Sequence, residues 1–292
     1  MKVHTIDLKF QGVDGAIAAF LIESGGELAL VESGPTSTLP ALRAGIEALG
    51  FAVADVKKVL LTHIHLDHAG AAGWWARQGA DVYVHPRGAR HLIDPARLIE
   101  SATMVYGDRM DELWGEMLPA PAERVVSVED GEQICVGEVT LVARDTPGHA
   151  RHHHVYACGD VVFTGDVAGV RLTGQAYLSV ASAPPQFDEE AYGRSLDLLL
   201  QGGYKKLYLT HFGEVTEVED HLTRYRDAIR AATVFVRDRV AEGVDASSLH
   251  ILYEAFQMEQ AFKAGVPAEV WGRYQIANPT AMSADGLSLA LK

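Results

Sequence analysis

The run His63-Ile64-His65-Leu66-Asp67-His68 places four potential metal ligands within six consecutive residues. It follows an apolar, strand-like stretch at 56–62. Residues two apart in an extended chain point to the same side, so His63 and His65 can address one point. The loop after them lets Asp67 and His68 turn toward a neighbouring point. One ion cannot easily use all four at this spacing, whereas two ions held close together can. Three further candidates each end an apolar run. They are His149 in Thr146-Pro147-Gly148-His149, Asp166 in Phe163-Thr164-Gly165-Asp166, and His211 in Leu209-Thr210-His211-Phe212-Gly213. Binding residues of layered folds gather on loops at such strand ends. Neutral imidazole and carboxylate suit zinc, and also Mn2+ and Fe2+.

The elements that must carry these residues are legible from periodicity and turn residues. Residues 3–10, 16–23 and 28–32 read as strands, with Gly25-Gly26 as a hairpin turn. Residues 38–49 read as an amphipathic helix ending at Gly50. The strand at 56–62, a helix at 69–78 and a strand at 81–85 form a βαβ-like pattern. Residues 87–93 and 96–118 read as helices with Met and Trp among charges, an insertion at 86–124 that reads first as a packed surface helix pair and alternatively as the cap of a pocket. Strands return at 133–136, 139–143, 154–158 and 161–164, then a helix at 188–201 and a strand at 206–210. Residues 214–262 read as mostly helical, and the tail from 266 mixes helix and turn signals.

Composition narrows the function. The chain has 292 residues, 48% hydrophobic and 22% charged, with a net charge of -14. That acidity opposes general binding to nucleic acid. No stretch is long and apolar enough to span a membrane, and the N-terminus lacks a signal-peptide core. The two cysteines, Cys135 and Cys158, lie in short apolar runs and read as buried thiols of a reducing compartment, so a cytoplasmic location is expected.

The series HIHLDHAG, TPGH, FTGD and THFG, in that order, resembles the metallo-β-lactamase superfamily over residues 1–213. The resemblance implies an α+β fold, a four-layer αββα sandwich with the metals at one edge of its two sheets. It implies two Zn2+ per chain, with Mn2+ or Fe2+ as substitutes. His63, His65 and His149 match the ligands of one metal, Asp67, His68 and His211 those of the other, and Asp166 the carboxylate bridging both. Asp67 and Asp166 are the candidate catalytic carboxylates. A metal-bridging hydroxide is the expected nucleophile, with the bound water's pKa lowered to about 7, and Asp67 is placed to pass a proton to the leaving group. His153, four positions after His149, matches a residue that hydrogen-bonds to ligands.

Several positions depart from relatives. Asp166 stands where several true β-lactamases place Cys, which argues against antibiotic cleavage. His65 stands where flavodiiron relatives have Glu, which favours hydrolysis. Glu32-Ser33-Gly34 replaces the common Asp-Thr-Gly and should alter hydrogen bonding around the ligands. Gly169 stands where homoserine-lactone lactonases often have Tyr, and Tyr177 is a candidate to reach the site instead. The expectation is a glyoxalase II-like or lactonase-like hydrolase of an ester-like bond (lactone, ester or thioester) in a small molecule. The alternatives are a phosphodiesterase using Arg87, Arg151 or Arg171, and a mononuclear iron sulfur dioxygenase. The expected organisation is a catalytic domain at 1–213 and helices at 214–292 packed on it. Phe256, Met258, Phe262 and Trp271 read first as packing on their own domain and alternatively as a homodimer interface.

Overall fold

The structure, a computed structural model, describes residues 1–291. They form two compact units, one made of Met1–Asp145 with His152–Phe163, the other of Thr146–Arg151 and the chain from Thr164 onward. The fold is α+β, an αββα sandwich with two six-stranded sheets.

In the first unit, strands β1 (Lys2–Asp7), β2 (Ala18–Ser24), β3 (Glu27–Val31), β4 (Val56–Leu60), β5 (Asp81–Val84) and β6 (Val125–Ser127) lie side by side in chain order. The first three are antiparallel, and Gly25 and Gly26 turn the β2–β3 hairpin at φ 55° and 83°, where L side chains are strained. From β3 onward the pairs are parallel, because each connection carries helix that returns the chain to the same edge. The helices Leu39–Ala48, Ala72–Arg77 and Pro86–Ile93 are those crossovers. Every parallel strand therefore ends at one edge, where the loop at 61–68 begins.

The second sheet starts in the same unit with β7 (Gln133–Val136), β8 (Val139–Asp145), β9 (His154–Cys158) and the start of β10 (Val161–Gly165), all antiparallel. Phe20 of β2 meets Phe163 of β10 with ring centroids 5.6 Å apart, part of the apolar filling between the two sheets. Cys135 is exposed and Cys158 half-buried, which corrects the expectation of two buried thiols. On β7 the burial alternates, and Cys135 falls on the outward phase.

The insertion is helical but broken. Ala96–Tyr106 stops at Gly107, whose φ is 54°, and a short helix Met110–Leu113 follows. The single helix expected over 96–118 is thus two pieces. The second unit holds β11 (Lys206–Leu209) and β12 (Gly213–Val215), which pair antiparallel, and the helices Glu189–Gln201, Val218–Ala241, Ala246–Lys263, Ala268–Ala277 and Thr280–Ala290. Strand β12 is too short to show a period and went unread in the sequence. Among the described residues no helix is long and apolar enough to cross a membrane.

Two buried histidines outside the metal-ligand motifs link the fold to pH. His154 Nε2 donates to the Leu61 carbonyl at 2.9 Å, and His221 Nε2 donates to the Ala168 carbonyl at 2.8 Å. Burial holds both neutral, pushing each pKa down to about 4. Between pH 6.5 and 4 the unfolded chain takes up protons at these sites that the folded chain refuses. Stability is then lost as the pH falls through that window, by on the order of 3 kcal/mol per group at most. Urea midpoints measured from pH 7 to 4 should fall, and more shallowly in His221→Gln, which keeps a donor for Ala168 but cannot titrate. Superimposable curves for the two proteins would show that His221 contributes nothing to acid loss.

Candidate metal centre

After β4 the chain runs through Leu61 and Thr62 into His63, and His65 precedes the short helix Leu66–Ala69. His65 is extended there, so its carbonyl accepts from the amides of His68 and Ala69 at 3.1 and 2.9 Å. The far end of the turn is fixed by Ser33, whose amide and hydroxyl both donate to the His68 carbonyl, at 2.8 and 2.9 Å.

Glu32 sets the chemistry of this half of the site. Its carboxylate is fully buried and can only accept. The Thr62 hydroxyl donates to Oε1 at 2.5 Å, His68 Nδ1 donates to the same oxygen at 3.0 Å, and the Thr62 amide donates to Oε2 at 3.3 Å. Thr62 has then spent its proton, so it accepts from His63 Nδ1 at 3.1 Å. Both imidazoles are thereby fixed with a lone pair on Nε2, the tautomer a metal requires. His63 Nε2 lies 3.0 Å from His65 Nδ1, and His68 Nε2 lies 3.4 Å from Asp67 Oδ2. His63 and His68 are fully buried, while the Asp67 side chain keeps 21% of its exposure.

The second unit supplies the other three. Asp166 follows β10, and its two oxygens face different imidazoles. Oδ2 is 3.4 Å from His149 Nε2, and Oδ1 is 3.7 Å from His211 Nε2. His149 Nδ1 donates to the Ala181 carbonyl at 3.0 Å, which again leaves Nε2 with the lone pair. Tyr192 donates its hydroxyl to the Asp166 carbonyl at 2.7 Å and lies 2.9 Å from the Tyr225 hydroxyl, which accepts from the Ala181 amide at 3.1 Å. Burial pushes both phenols up in pKa, so they act as neutral hydrogen-bonding groups. Gly148 must be glycine, because a Cβ would lie 2.4 Å from Tyr192 Cα. His211 is tied by its carbonyl, which accepts from the Arg171 amide at 2.6 Å.

The ligand atoms fall into three groups, each within 4.8 Å: His63, His65 and His149; His63, His68 and Asp166; Asp67, His68 and His211. The donor set fits a divalent metal. It joins neutral imidazoles to carboxylates, and the second nitrogens of His63, His68 and His149 are each held by a hydroxyl, carboxylate or carbonyl. Neighbouring histidines crowd the first unit's half: the His153 and His152 rings lie 5.0 and 6.2 Å from the His63 ring.

Tyr177 does not behave as expected. It is buried in an apolar cluster with Val170, Leu172, Trp271 and Tyr274, and its hydroxyl donates to Gln257 at 2.5 Å. Two apolar helices claim its ring, so no hydroxyl from this residue faces the ligands. Sequence reasoning also passed over Tyr192 and Tyr225, whose helical spacing reads as ordinary core.

The chain belongs to the metallo-β-lactamase superfamily, whose family model matches residues 12–211. It is similar to the metallo-beta-lactamase fold-containing protein ST1585 of Sulfurisphaera tokodaii, 31% identical over 170 residues that make up 56% of this chain and 64% of that one. The chain thus spans just under two-thirds of that curated relative. The probable polyketide biosynthesis zinc-dependent hydrolase PksB of Bacillus subtilis is 24% identical over 187 residues, 64% of this chain and 70% of that one. In fold it resembles the metallo-beta-lactamase family protein TTHA1429 from Thermus thermophilus, with a TM-score of 0.62 and 23% identity over 97% of this chain and 92% of that one. Superfamily members are metal-dependent hydrolases, and this chain has His/Asp clusters able to hold metal.

Glu32→Gln replaces an acceptor-only group by one whose amide must turn a donor toward Thr62 or His68. Metal affinity should fall about 10- to 100-fold, read as metal retained against a competing chelator. Unchanged retention would mean that Glu32 does not orient the ligands.

Proposed function

We propose that the protein is a dinuclear, zinc-type hydrolase of an ester-like bond in a small molecule, with lactones the first substrates to try. The observation that carries this reading is Asp166, with an imidazole facing each carboxylate oxygen. A carboxylate so placed suits two cations better than one. In this reading His63, His65 and His149 hold one ion, Asp67, His68 and His211 hold the other, and Asp166 is shared. Zinc draws support from the donor set and from the likeness to a relative named as a zinc-dependent hydrolase.

Bound there, two such ions would supply Lewis-acid polarisation of a carbonyl and a lowered pKa for an attacking water. The chain's own residues do the rest. Glu32, Thr62 and Ala181 hold the imidazoles in one orientation, so the site needs little reorganisation. Asp67 is the carboxylate placed to hold a proton and pass it to the leaving oxygen. Its partial exposure gives that oxygen access. The phosphodiesterase alternative draws little support from Arg171, whose Nε donates to the Gln175 carbonyl at 2.9 Å and whose Nη1 lies 3.8 Å from Glu217.

The test is an initial-rate screen of zinc-reconstituted protein on lactones, aryl esters, thioesters, phosphodiesters and a β-lactam. Lactone or ester turnover is expected, abolished in His65→Ala. Asp67→Asn should lower kcat by about 100-fold or more. Turnover of phosphodiesters alone, or one iron per chain with oxygen consumption, would overturn the reading. Full activity and metal content in Asp67→Asn would remove the proton-transfer role.

A further inference from the structure

Three histidines in a row, His152, His153 and His154, lead into strand β9, and there they part company. The His152 and His153 rings lie 6.2 and 5.0 Å from the ring of the candidate ligand His63. The His154 ring turns elsewhere. It lies 4.7 Å from the ring of Tyr156, which shares its face of the strand, and 5.7 Å from that of His85. Among the described residues, none of the three ligand groups includes His154. It is nonetheless fully buried.

What His154 holds is the chain just before His63. Strand β4 ends at Leu60, so the peptide groups of Leu61 and Thr62 lie past the strand, in the interior. Each buried amide and carbonyl there needs a partner. The Leu61 amide donates to the Tyr83 carbonyl at 2.9 Å, and the Thr62 amide to Glu32 Oε2 at 3.3 Å. Both carbonyls are met by His154. Its ring Nε2 donates to Leu61 at 2.9 Å, and its own amide donates to Thr62 at 2.9 Å. The Tyr156 hydroxyl, 2.9 Å from the same ring nitrogen, donates to the Tyr83 carbonyl at 3.3 Å and backs the imidazole. An aliphatic side chain would fill this space at less cost. His154 Nδ1 is buried without a hydrogen-bond partner among the described residues, a loss that leucine would not carry. What the imidazole adds over leucine is the Nε2 donor. The Thr62 carbonyl belongs to the same planar peptide as the His63 nitrogen, so holding it fixes the plane from which the His63 side chain starts.

We infer that His154 is a positioning residue for the metal centre: by holding the Leu61 and Thr62 carbonyls it sets the orientation in which His63 meets a metal ion. The inference rests on His63 being a metal ligand and is independent of the substrate. Substitution at 154 removes the ring's bond to Leu61 and leaves the amide's bond to Thr62, so the ring's share can be read by itself.

The probe is Co2+, whose visible absorption reports the geometry of its ligands. It is titrated into the metal-free full chain, and affinity is read by competition with a chelator. His154→Leu should weaken binding about 10-fold or more and shift the absorption bands of the metal that remains bound. His154→Gln, whose amide can still donate toward Leu61, should recover most of both. Leu141→Ala is the control for stability alone. It truncates a fully buried side chain on β8, four residues from the Asp145–His154 pair. Its urea midpoint should fall while affinity and bands stay as in the wild type. Tyr156→Phe removes one hydroxyl and keeps the ring. It should shift the bands in the same direction by less, and it serves where His154→Leu does not fold. Unchanged affinity and bands in the variants at 154 and 156 would overturn the inference. Equal changes in Leu141→Ala would do so too, since the effect would then follow stability. His63→Ala separates the premise from the inference. If Co2+ binding survives it untouched, His63 is no ligand and the inference falls with it. If His63→Ala abolishes bands that His154→Leu leaves unchanged, the ligand stands and the positioning role fails.

Discussion

A carboxylate placed out of reach of water is tolerated only where donors meet its lone pairs, and Glu32 is placed so. Its three donors come from Thr62 and His68, which lie on either side of the ligand pair His63–His65. The same bonds that stabilise the buried carboxylate therefore fix which nitrogen of His63 and His68 carries a proton. Glu32 itself has φ 68°, a conformation costly for a non-glycine residue. Its amide still donates to the Leu60 carbonyl at 3.0 Å, and the neighbouring Ser33 holds the His68 carbonyl. Loosening any one of these bonds would free the others, so this end of β3 and the loop after β4 behave as one piece.

The second unit solves the same problem with neutral groups. There the partner of His149 is the Ala181 carbonyl, and the loop carrying Ala181 is clamped by the C-terminal helices. Ser283 donates to the Val180 carbonyl at 3.0 Å, Asn278 donates to the same carbonyl at 2.9 Å, and Gly286 lets the last helix approach until a Cβ would lie 1.7 Å from the Ser182 carbonyl oxygen. The helices after β12 thus hold a ligand in place from a distance. The two solutions also differ electrically. The group that orients His68 is a carboxylate, whereas the one that orients His149 is an uncharged amide carbonyl.

The ligand residues were legible in the sequence because each sits at the end of an apolar strand, and strand ends are marked by period and by Gly and Pro. What stayed hidden was the set of groups that orient them. Tyr192 and Tyr225 lie on amphipathic helices, where a tyrosine at core spacing looks like any other buried ring. Glu32 was visible as a departure from Asp, but a longer carboxylate reveals its partners only once Thr62 and His68 have been folded beside it. The strand β12 and the break at Gly107 escaped for a different reason, since three residues show no period and one glycine does not outweigh a helical pattern. Tyr177 was misplaced because nearness in sequence to Asp166 says nothing about which face of the loop it takes, and the apolar helices from Ala246 onward claimed its ring.

Position 169 shows how closely the groups behind Asp166 are packed. A Cβ at Gly169 would lie 2.2 Å from the Tyr225 ring, and the backbone φ is 76°. No side chain fits, because Tyr225 has taken the space in order to reach the Ala181 amide and Tyr192. The phenol that bonds the Ala181 amide and Tyr192 thus excludes any side chain from position 169. Tyr177, buried in its own cluster, offers no hydroxyl there either.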